Sequence, residues 1–237
     1  MDPIKKAAQN LCSRCMLSNV CLPSGLAPHE RIQFENIYKK SLILPPKKTI
    51  YLPESPFKYL YILQSGSAKS YTLSSQGEEH ITDFYFPGDF LGMESIHTGC
   101  YTTCAVTLQT TTLCVIPFIE LIALSSRIPN LFQQMLKFLS KKLDEQISRN
   151  AHPNAEEKVA TFLTQLGDRF QHLGYMSNEY HLSMTRQEIG NYLGLATETV
   201  SRVFSHLQKT GMVEVERRHI FLDKEKLCAF YDIENSS

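Results

Sequence analysis

The spacing of apolar residues changes once along this chain, and that change constrains the fold more than any other feature. Within about Pro45–Pro117, short apolar runs such as Tyr59–Leu63 and Ile81–Phe86 alternate with Gly, Pro and Ser. Such punctuated short strands predict an antiparallel β-roll or barrel. Over Ile128–Ser148 the apolar residues instead recur every three or four positions, which predicts one long helix.

This long helix carries an apolar stripe wide enough to pack on its own domain and on a second copy of the chain. The alternative is a helix that only caps its own domain. The stretch Asn150–Asn154 contains a proline and predicts the joint to a second domain. If the helix pairs two copies, the expected interface residues are Ile128, Leu131, Met135, Phe138, Leu139, Leu143 and Ile147.

The length of 237 residues and the apolar content of 43% suffice for two domains with ordinary cores. The net charge is zero, and the portion from Ala151 onward has 12 acidic and 9 basic residues, so a nucleic-acid partner would need a local basic surface. No stretch approaches the roughly 20 apolar residues of a membrane helix. The first ten residues lack the apolar core of a signal peptide, so we expect a cytoplasmic protein.

Seven cysteines in a cytoplasmic protein favour metal or redox chemistry over structural disulfides. Three of them, Cys12, Cys15 and Cys21, lie close enough in sequence to converge on one soft metal or iron–sulfur centre. Their spacing does not select the metal. A structural zinc site, completed by His29, and a disulfide-based redox switch are the alternatives.

Beyond the predicted joint, Ala155–Leu173 is expected to form a helix, followed by two closely spaced helices and a hairpin. Thr185–Glu188 has the capping-box pattern of a helix start, and Gly194 is suited to end that helix. A second helix is expected to begin near Thr197. Two short helices around a tight turn predict a helix-turn-helix.

The second helix separates its faces, with Val200, Val203 and Leu207 expected inward. On the other face, Arg202 suits the two acceptors of guanine and Glu198 the amino group of cytosine. The alternative is a merely solvated helix face. In the hairpin that follows, Arg217 and Arg218 lie between two strands and are expected to contact phosphate. The full predicted DNA-binding set is Arg186, Thr197, Glu198, Ser201, Arg202, Ser205, Arg217 and Arg218.

The stretch Met184–Arg202 closely resembles the signature of the CRP/FNR family of bacterial transcription regulators. The resemblance implies that Glu198, Ser201 and Arg202 recognise a TTGAT-type half-site. It also implies an α+β fold with a cupin-like β-roll sensor domain, a long dimerisation helix and a C-terminal winged helix-turn-helix. The expected divisions are a ligand segment at 1–30, the roll at 31–125, the dimerisation helix at 126–150 and the DNA-binding domain at 151–237.

The type member of this family binds cyclic AMP, whose phosphate requires a cation. In this chain no Arg or Lys occurs between Phe90 and Ser126, where the family places its arginine. We therefore expect no cyclic-nucleotide site.

The oxygen-sensing fumarate–nitrate reduction branch of the family instead has Cys-x2-Cys-x5-Cys and one distant cysteine, which together hold a [4Fe–4S] cluster. Cys12, Cys15 and Cys21 match that spacing. Periodicity does not choose the fourth ligand among Cys100, Cys104 and Cys114. The branch has its distant ligand just before Ile-Pro-Phe, which implies Cys114. Cys100 and Cys104 are then expected to be small apolar residues of the roll, and Cys228 a packing residue.

The resemblance implies an oxygen-responsive regulator that is not an enzyme. With its cluster intact the homodimer would bind a palindromic promoter site under anaerobic conditions, with RNA polymerase as a further partner, and oxygen would destroy the cluster. Asp144 or Glu145, if near the two-fold axis, would repel their counterparts and keep cluster-free protein monomeric; the alternative, which we favour, is that they lie on a solvated outer face of the helix. An iron–sulfur enzyme or electron carrier is the disfavoured rival, because the sequence shows no nucleophile–base constellation and no second cysteine cluster.

Overall fold

The computed structural model of the protein describes Cys12 and residues 14–38, 40–151 and 154–231. These residues divide into two compact units, one up to Lys141 and one from Lys142 onward. The division falls inside the long helix, and each unit has its own core. Within the described ranges, no helix is long and apolar enough to cross a membrane.

Two antiparallel four-stranded sheets form the body of the first unit, as the strand pattern predicts. In the first sheet the order is β1-β8-β3-β6, and in the second it is β2-β7-β4-β5. The strands are β1 (Lys40–Leu44), β2 (Thr49–Tyr51), β3 (Tyr59–Ser65), β4 (Ala68–Leu73), β5 (Glu79–Tyr85), β6 (Phe90–Leu91), β7 (Cys104–Thr107) and β8 (Thr111–Pro117).

Helices cover the outer face of the first sheet. They are α1 (Pro28–Ile37), α2 (Phe118–Ser125) and the start of α3 (Pro129–Ala151), with short 3-10 helices at Leu22–Gly25 and Met93–Ser95. Alternate residues of the strands, such as Leu60 and Ile62, pack against these helices in one apolar core. Each large side chain buried there contributes about 1.5–3 kcal/mol to folding.

The second unit contains four further helical segments besides the last turns of α3. They comprise α4 (Ala155–His172), α5 (Arg186–Leu193), α6 (Thr197–Lys209) and α7 (Lys224–Tyr231). A three-stranded antiparallel sheet has the order β10-β11-β9, with β9 at Glu179–His181, β10 at Val213–Glu216 and β11 at His219–Leu222.

Two details of the second unit differ from the sequence prediction. The predicted two-stranded wing has a third strand, β9, whose three residues are too few to produce a periodic signal. Helix α3 continues to Ala151, into the stretch that the sequence predicts as the joint. His152 and Pro153 of the predicted joint lie outside the described residues.

Candidate functional site

Four cysteine side chains line one pocket of the first unit. Cys12, Cys15 and Cys21 come from the segment that precedes α1, and Cys114 comes from β8. The wall of this cysteine pocket is largely apolar, with Leu17, Phe34, Ile62 and Ile116 among its lining residues. The structure therefore brings the three clustered cysteines together with the distant cysteine that the resemblance implies.

Short-range backbone bonds fold the N-terminal segment so that its thiols share one side. The Cys15 N–H donates to the carbonyl of Cys12 at 3.3 Å, and the Cys21 N–H donates to the carbonyl of Leu17 at 2.8 Å. The Cys12 N–H donates to Glu35 Oε1 on α1 at 2.9 Å. Because Leu17 is buried, these turns are anchored in the unit's own core.

Cys114 lies on a strand that is paired on both sides. In the antiparallel register it faces Ser41 on β1 and Ile62 on β3. Gln64, two residues further along β3, donates its side-chain amide to Cys15 Sγ at 3.7 Å. The fourth thiol is thus held by the sheet, while the other three belong to a turn-rich segment.

The pKa values of the pocket thiols reflect their removal from water. Burial, reinforced by the Glu35 carboxylate, raises the pKa of Cys12 to about 12. Burial raises the pKa of Cys114 to about 11, with a smaller effect from Cys15. For Cys21, burial and then Cys114 raise the pKa well above its usual range. These three thiols are therefore neutral at pH 7 unless a bound cation displaces their protons.

The chemistry of the donor set fits an iron–sulfur cluster. Four cysteine thiolates, one for each iron, are the ligands of a [4Fe–4S] centre, and four thiols line this pocket. As the side chains stand, no group of three or more His, Cys, Asp or Glu among the described residues is arranged to hold a metal ion. His29, which would complete the zinc alternative, is exposed on α1 and does not line the pocket.

The other three cysteines lie elsewhere. Cys104 is buried on β7, in the sheet that does not contain Cys114, and Cys228 is buried on α7. The expectation of an apolar roll position was wrong for Cys100, which is exposed because it lies in the loop before β7. None of these three side chains lines the cysteine pocket.

In the second unit, α5 and α6 form the predicted helix-turn-helix. The Thr185 hydroxyl accepts from the Glu188 N–H at 3.1 Å, and the Glu188 carboxylate accepts from the Thr185 N–H at 2.8 Å. Gly194 ends α5 at a φ of +68°. A Cβ at Gly190 would lie 2.6 Å from the carbonyl oxygen of Leu195, so the tight turn also requires this glycine, which the sequence analysis missed.

Helix α6 has the two faces that its periodicity predicts. Val200, Val203 and Leu207 are buried. The side chains of Glu198, Ser201, Arg202 and Ser205 are exposed, and Thr197 is half-buried at the start of the helix. Arg202 donates one N–H to Thr199 Oγ1 at 3.2 Å within the helix. An exposed row of this kind near a helix N-terminus is suited to the edges of bases in a major groove.

The three arginines outside α6 differ in accessibility. Arg217 and Arg218 are exposed at the tip of the β10–β11 hairpin, where Arg217 has a φ of +58°. Arg186 instead packs its guanidinium over the ring of Phe204, with 3.0 Å between Cζ and the ring centroid, and burial lowers its pKa to about 10. Arg186 therefore lies apart from the exposed row of α6.

Comparison with known proteins identifies both parts of the chain. Residues 42–127 match the cyclic nucleotide-binding domain family, and residues 157–230 match the Crp-like helix-turn-helix domain family. The fumarate nitrate reduction regulatory protein of Klebsiella oxytoca is 38% identical over 221 residues, which cover 92% of this chain and 88% of the relative. The chain belongs to the CRP/FNR family.

Other relatives agree. The fumarate and nitrate reduction regulatory protein of Escherichia coli K12 has the same identity and the same coverage of both chains. The solved structure of FixK2 from Bradyrhizobium japonicum superposes with a TM-score of 0.71 and 26% identity, over 84% of this chain and 98% of that one. The protein is therefore a transcription regulator with a DNA-binding helix-turn-helix, and not an enzyme.

In this CRP/FNR regulator, one part of the predicted dimer interface is buried within the first unit. Ile128, Leu131 and Met135 belong to its apolar core, and Phe138 packs on Phe90 with ring centroids 4.6 Å apart. Ile128, Leu131 and Met135 are covered by their own unit and therefore do not face a second copy, because three-and-four spacing marks an apolar face without identifying what covers it. Phe138 is only partly buried, and its place in a dimer interface stays a prediction.

The exposed apolar residues of α3 form a second row, here called the open stripe. Leu139, Leu143 and Ile147, which the sequence predicts at a dimer interface, belong to it. Phe132 and Leu136, which the sequence analysis missed, extend it, so the open stripe is Phe132, Leu136, Leu139, Leu143 and Ile147. Asp144 is exposed beside the stripe. Glu145 instead pairs with Arg169 at 2.5 Å and Lys142 at 3.3 Å, so the predicted repulsion between partner carboxylates applies to Asp144 alone.

The interior of the roll is filled by tyrosines. The rings of Tyr51 and Tyr101 stack with centroids 4.1 Å apart, and Tyr61 stacks on Tyr51 at 6.0 Å. Glu94 accepts hydrogen bonds from the Tyr51 hydroxyl at 3.1 Å and the Thr103 hydroxyl at 3.0 Å. The sequence analysis did not single out these residues, although the alternation of tyrosines along β3 was a usable signal.

Proposed function

We propose that this regulator holds a [4Fe–4S] cluster through Cys12, Cys15, Cys21 and Cys114 and binds a TTGAT-type palindrome as a homodimer when oxygen is absent. The observation that carries the proposal is the convergence of these four thiols on one pocket. When bound, such a cluster supplies an oxygen-labile link between the N-terminal segment and β8. A cytoplasmic location and a contact with RNA polymerase follow from regulation at a promoter.

The packing of the N-terminal segment suggests how the pocket acts on the dimer. Leu22 and Leu26 pack in the same core as Leu131 and Met135 of α3. The segment also lies directly against the helix, because a Cβ at Gly25 would lie 2.5 Å from Gln134 Nε2. When the N-terminal segment is ordered, its packing therefore favours one position of α3 in the first unit.

This coupling is a linkage between two equilibria. Occupation of the pocket shifts the monomer–dimer equilibrium only by as much as it favours the α3 placement found in the dimer. The open stripe supplies the apolar surface that two copies would bury, and Asp144 supplies the opposing repulsion. Loss of the link loosens the segment, weakens the dimer and lowers DNA affinity.

We also propose that the roll binds no cyclic nucleotide, although its domain family is named for that ligand. A buried phosphate needs a cation, and Phe90–Ser126 contains neither Arg nor Lys. The space between the sheets is occupied by Tyr51, Tyr61 and Tyr101, next to the Glu94 carboxylate. A zinc site or a thiol switch on the same cysteines remains the alternative for the sensor.

The proposed cofactor predicts the metal content of protein purified without oxygen. We expect brown protein with about four iron and four sulfide per chain, since each cysteine binds one iron of the cubane. Iron and zinc are measured by elemental analysis and sulfide by a colorimetric assay, before and after exposure to air. Colourless protein with one zinc per chain would establish the zinc alternative instead.

The open stripe predicts the effect of a charge on dimerisation. In cluster-loaded Leu143→Glu protein, we expect the dimer dissociation constant to rise at least tenfold. Burial of one leucine side chain at an interface contributes about 1.5–3 kcal/mol to association, and each dimer loses two such side chains. Sedimentation velocity under nitrogen measures the constant.

Leu73→Glu is the matched control for that measurement. Leu73 ends strand β4, far along the chain from α3, and is 60% exposed against 59% for Leu143. The Leu73→Glu variant should leave the dimer dissociation constant unchanged. Equal weakening by both variants would mean that added charge, and not the stripe, controls association.

A further inference from the structure

The last turns of α3 are bonded to the DNA-binding unit. Glu145 pairs with Arg169 of α4 at 2.5 Å, and both side chains are largely screened from water. Ser148 lies one turn after Glu145 on α3, and its hydroxyl accepts a hydrogen bond from the Gln165 amide of α4 at 3.3 Å. These contacts join the end of the dimerisation helix to the first helix of the helix-turn-helix domain.

A third contact reaches the helix-turn-helix itself. The Arg149 guanidinium lies over the ring of Tyr192 on α5, with 4.4 Å between Cζ and the ring centroid. Tyr192 also packs edge-to-face on Phe162 of α4, with centroids 5.9 Å apart. Helix α5 in turn packs closely on α6, since a Cβ at Gly190 would lie 3.4 Å from Val200. A continuous series of contacts thus runs from α3 to the helix with the exposed row.

The bonded residues and the open stripe occupy opposite faces of α3. Glu145, Ser148 and Arg149 are spaced i, i+3 and i+4 and share one face. At 3.6 residues per turn, that face lies about 170° around the helix axis from the face of Leu143 and Ile147. The same helical turns therefore offer one face to a second copy and hold their own DNA-binding unit with the other.

We propose that Glu145 and Arg149, with Arg169 and Tyr192, are positioning residues that fix α6 relative to the dimer axis and so determine the accepted distance between half-sites. This inference rests on the proposed dimeric, palindrome-binding function. Without these contacts each α6 still fits its own half-site. The two helices are no longer held one DNA turn apart, so the preference for one spacing is lost.

The test measures binding to DNA in which the two half-sites are moved apart or together by one base pair. Cluster-loaded protein is compared by fluorescence anisotropy on the native spacing, on both altered spacings and on a single half-site. For Arg169→Glu and Arg149→Gln we expect the preference for the native spacing to fall about tenfold, with half-site affinity unchanged within twofold. The double variant Glu145→Arg/Arg169→Glu should regain most of the preference, although Lys142 opposes Arg at position 145.

Lys141→Gln, which removes a charge from an exposed position of α3, is the control and should behave as the unsubstituted protein. An unchanged spacing profile in Arg169→Glu and Arg149→Gln would overturn the inference. So would an equal loss on every DNA, including the half-site, because that marks a damaged domain. Failure of the unsubstituted protein to prefer a palindrome over a half-site would overturn the proposed function, and this inference with it.

Discussion

We expect Cys114→Ala protein, purified without oxygen, to retain no cluster, while Cys104→Ala protein retains its full iron content. Cys114 is the one pocket thiol that the β-sheet supplies, so its loss leaves three ligands on a single segment. A centre with an open ligand position is accessible to water and oxygen, and the link between the segment and β8 is gone. Iron per chain and the visible spectrum measure the outcome.

Cys104 is a demanding control because it is also a strand residue of the roll. It is buried on β7, in the other sheet, and does not line the cysteine pocket. Its replacement therefore perturbs the roll core without removing a proposed ligand. Cys100→Ala, at an exposed position, controls for the loss of a thiol alone.

Unfolding midpoints of the iron-free proteins separate ligand loss from misfolding. Cys114→Ala should unfold close to the unsubstituted iron-free protein, since Cys114 is only partly buried in that state. Loss of iron in Cys104→Ala, with retention in Cys114→Ala, would contradict the assignment and move the fourth ligand to β7. Retention in both would mean that three cysteines suffice.

The helix-turn-helix was predictable almost residue by residue, because its signals are local. The capping box at Thr185 and Glu188, the end of α5 at Gly194 and the buried row of α6 each depend on neighbours within one or two helical turns. Positions three and four apart meet on a helix whatever the rest of the chain does. Such features need no knowledge of tertiary structure.

The division of α3 into two faces was not predictable in the same way. Apolar spacing shows that Leu131 and Phe132 are both suited to burial, and only the tertiary fold decides that Leu131 is covered by its own unit and Phe132 is left open. The ion pair of Glu145 was not predicted for the same reason, since its partner Arg169 is 24 residues away on another helix. Long-range contacts of this kind leave no periodic trace.

The cysteine pocket depends on both local sequence signals and long-range contacts. The spacing of Cys12, Cys15 and Cys21 predicted a metal site, but periodicity did not choose a fourth ligand among Cys100, Cys104 and Cys114. Strand pairing distinguishes them, because β8 runs between β1 and β3 and carries Cys114 to the covered face of the first sheet. The Gln64 amide near Cys15 follows from that same pairing and had no signal in the sequence.

For Arg202→Ala we expect discrimination against a substituted guanine in TTGAT to collapse while some DNA binding persists. A bidentate arginine contact to guanine is worth about 1–3 kcal/mol for each half-site. A palindrome contains two half-sites, so the loss of discrimination doubles to about 2–6 kcal/mol, or at least 30-fold. Binding of cluster-loaded protein to the native palindrome and to one with both guanines replaced measures this difference.

Arg218→Ala is the contrasting variant. Arg218 is exposed on the hairpin between β10 and β11, where a phosphate contact is expected. Its loss should weaken binding to both DNAs equally and reduce the salt dependence by about one ion for each chain. If Arg202→Ala behaved in this uniform way, Arg202 would be a phosphate contact, and recognition of the G·C pair would have to come from Glu198, Ser201 or Ser205. Because an acidic side chain offers guanine's acceptors no donor, the two serines would be the residues to replace next.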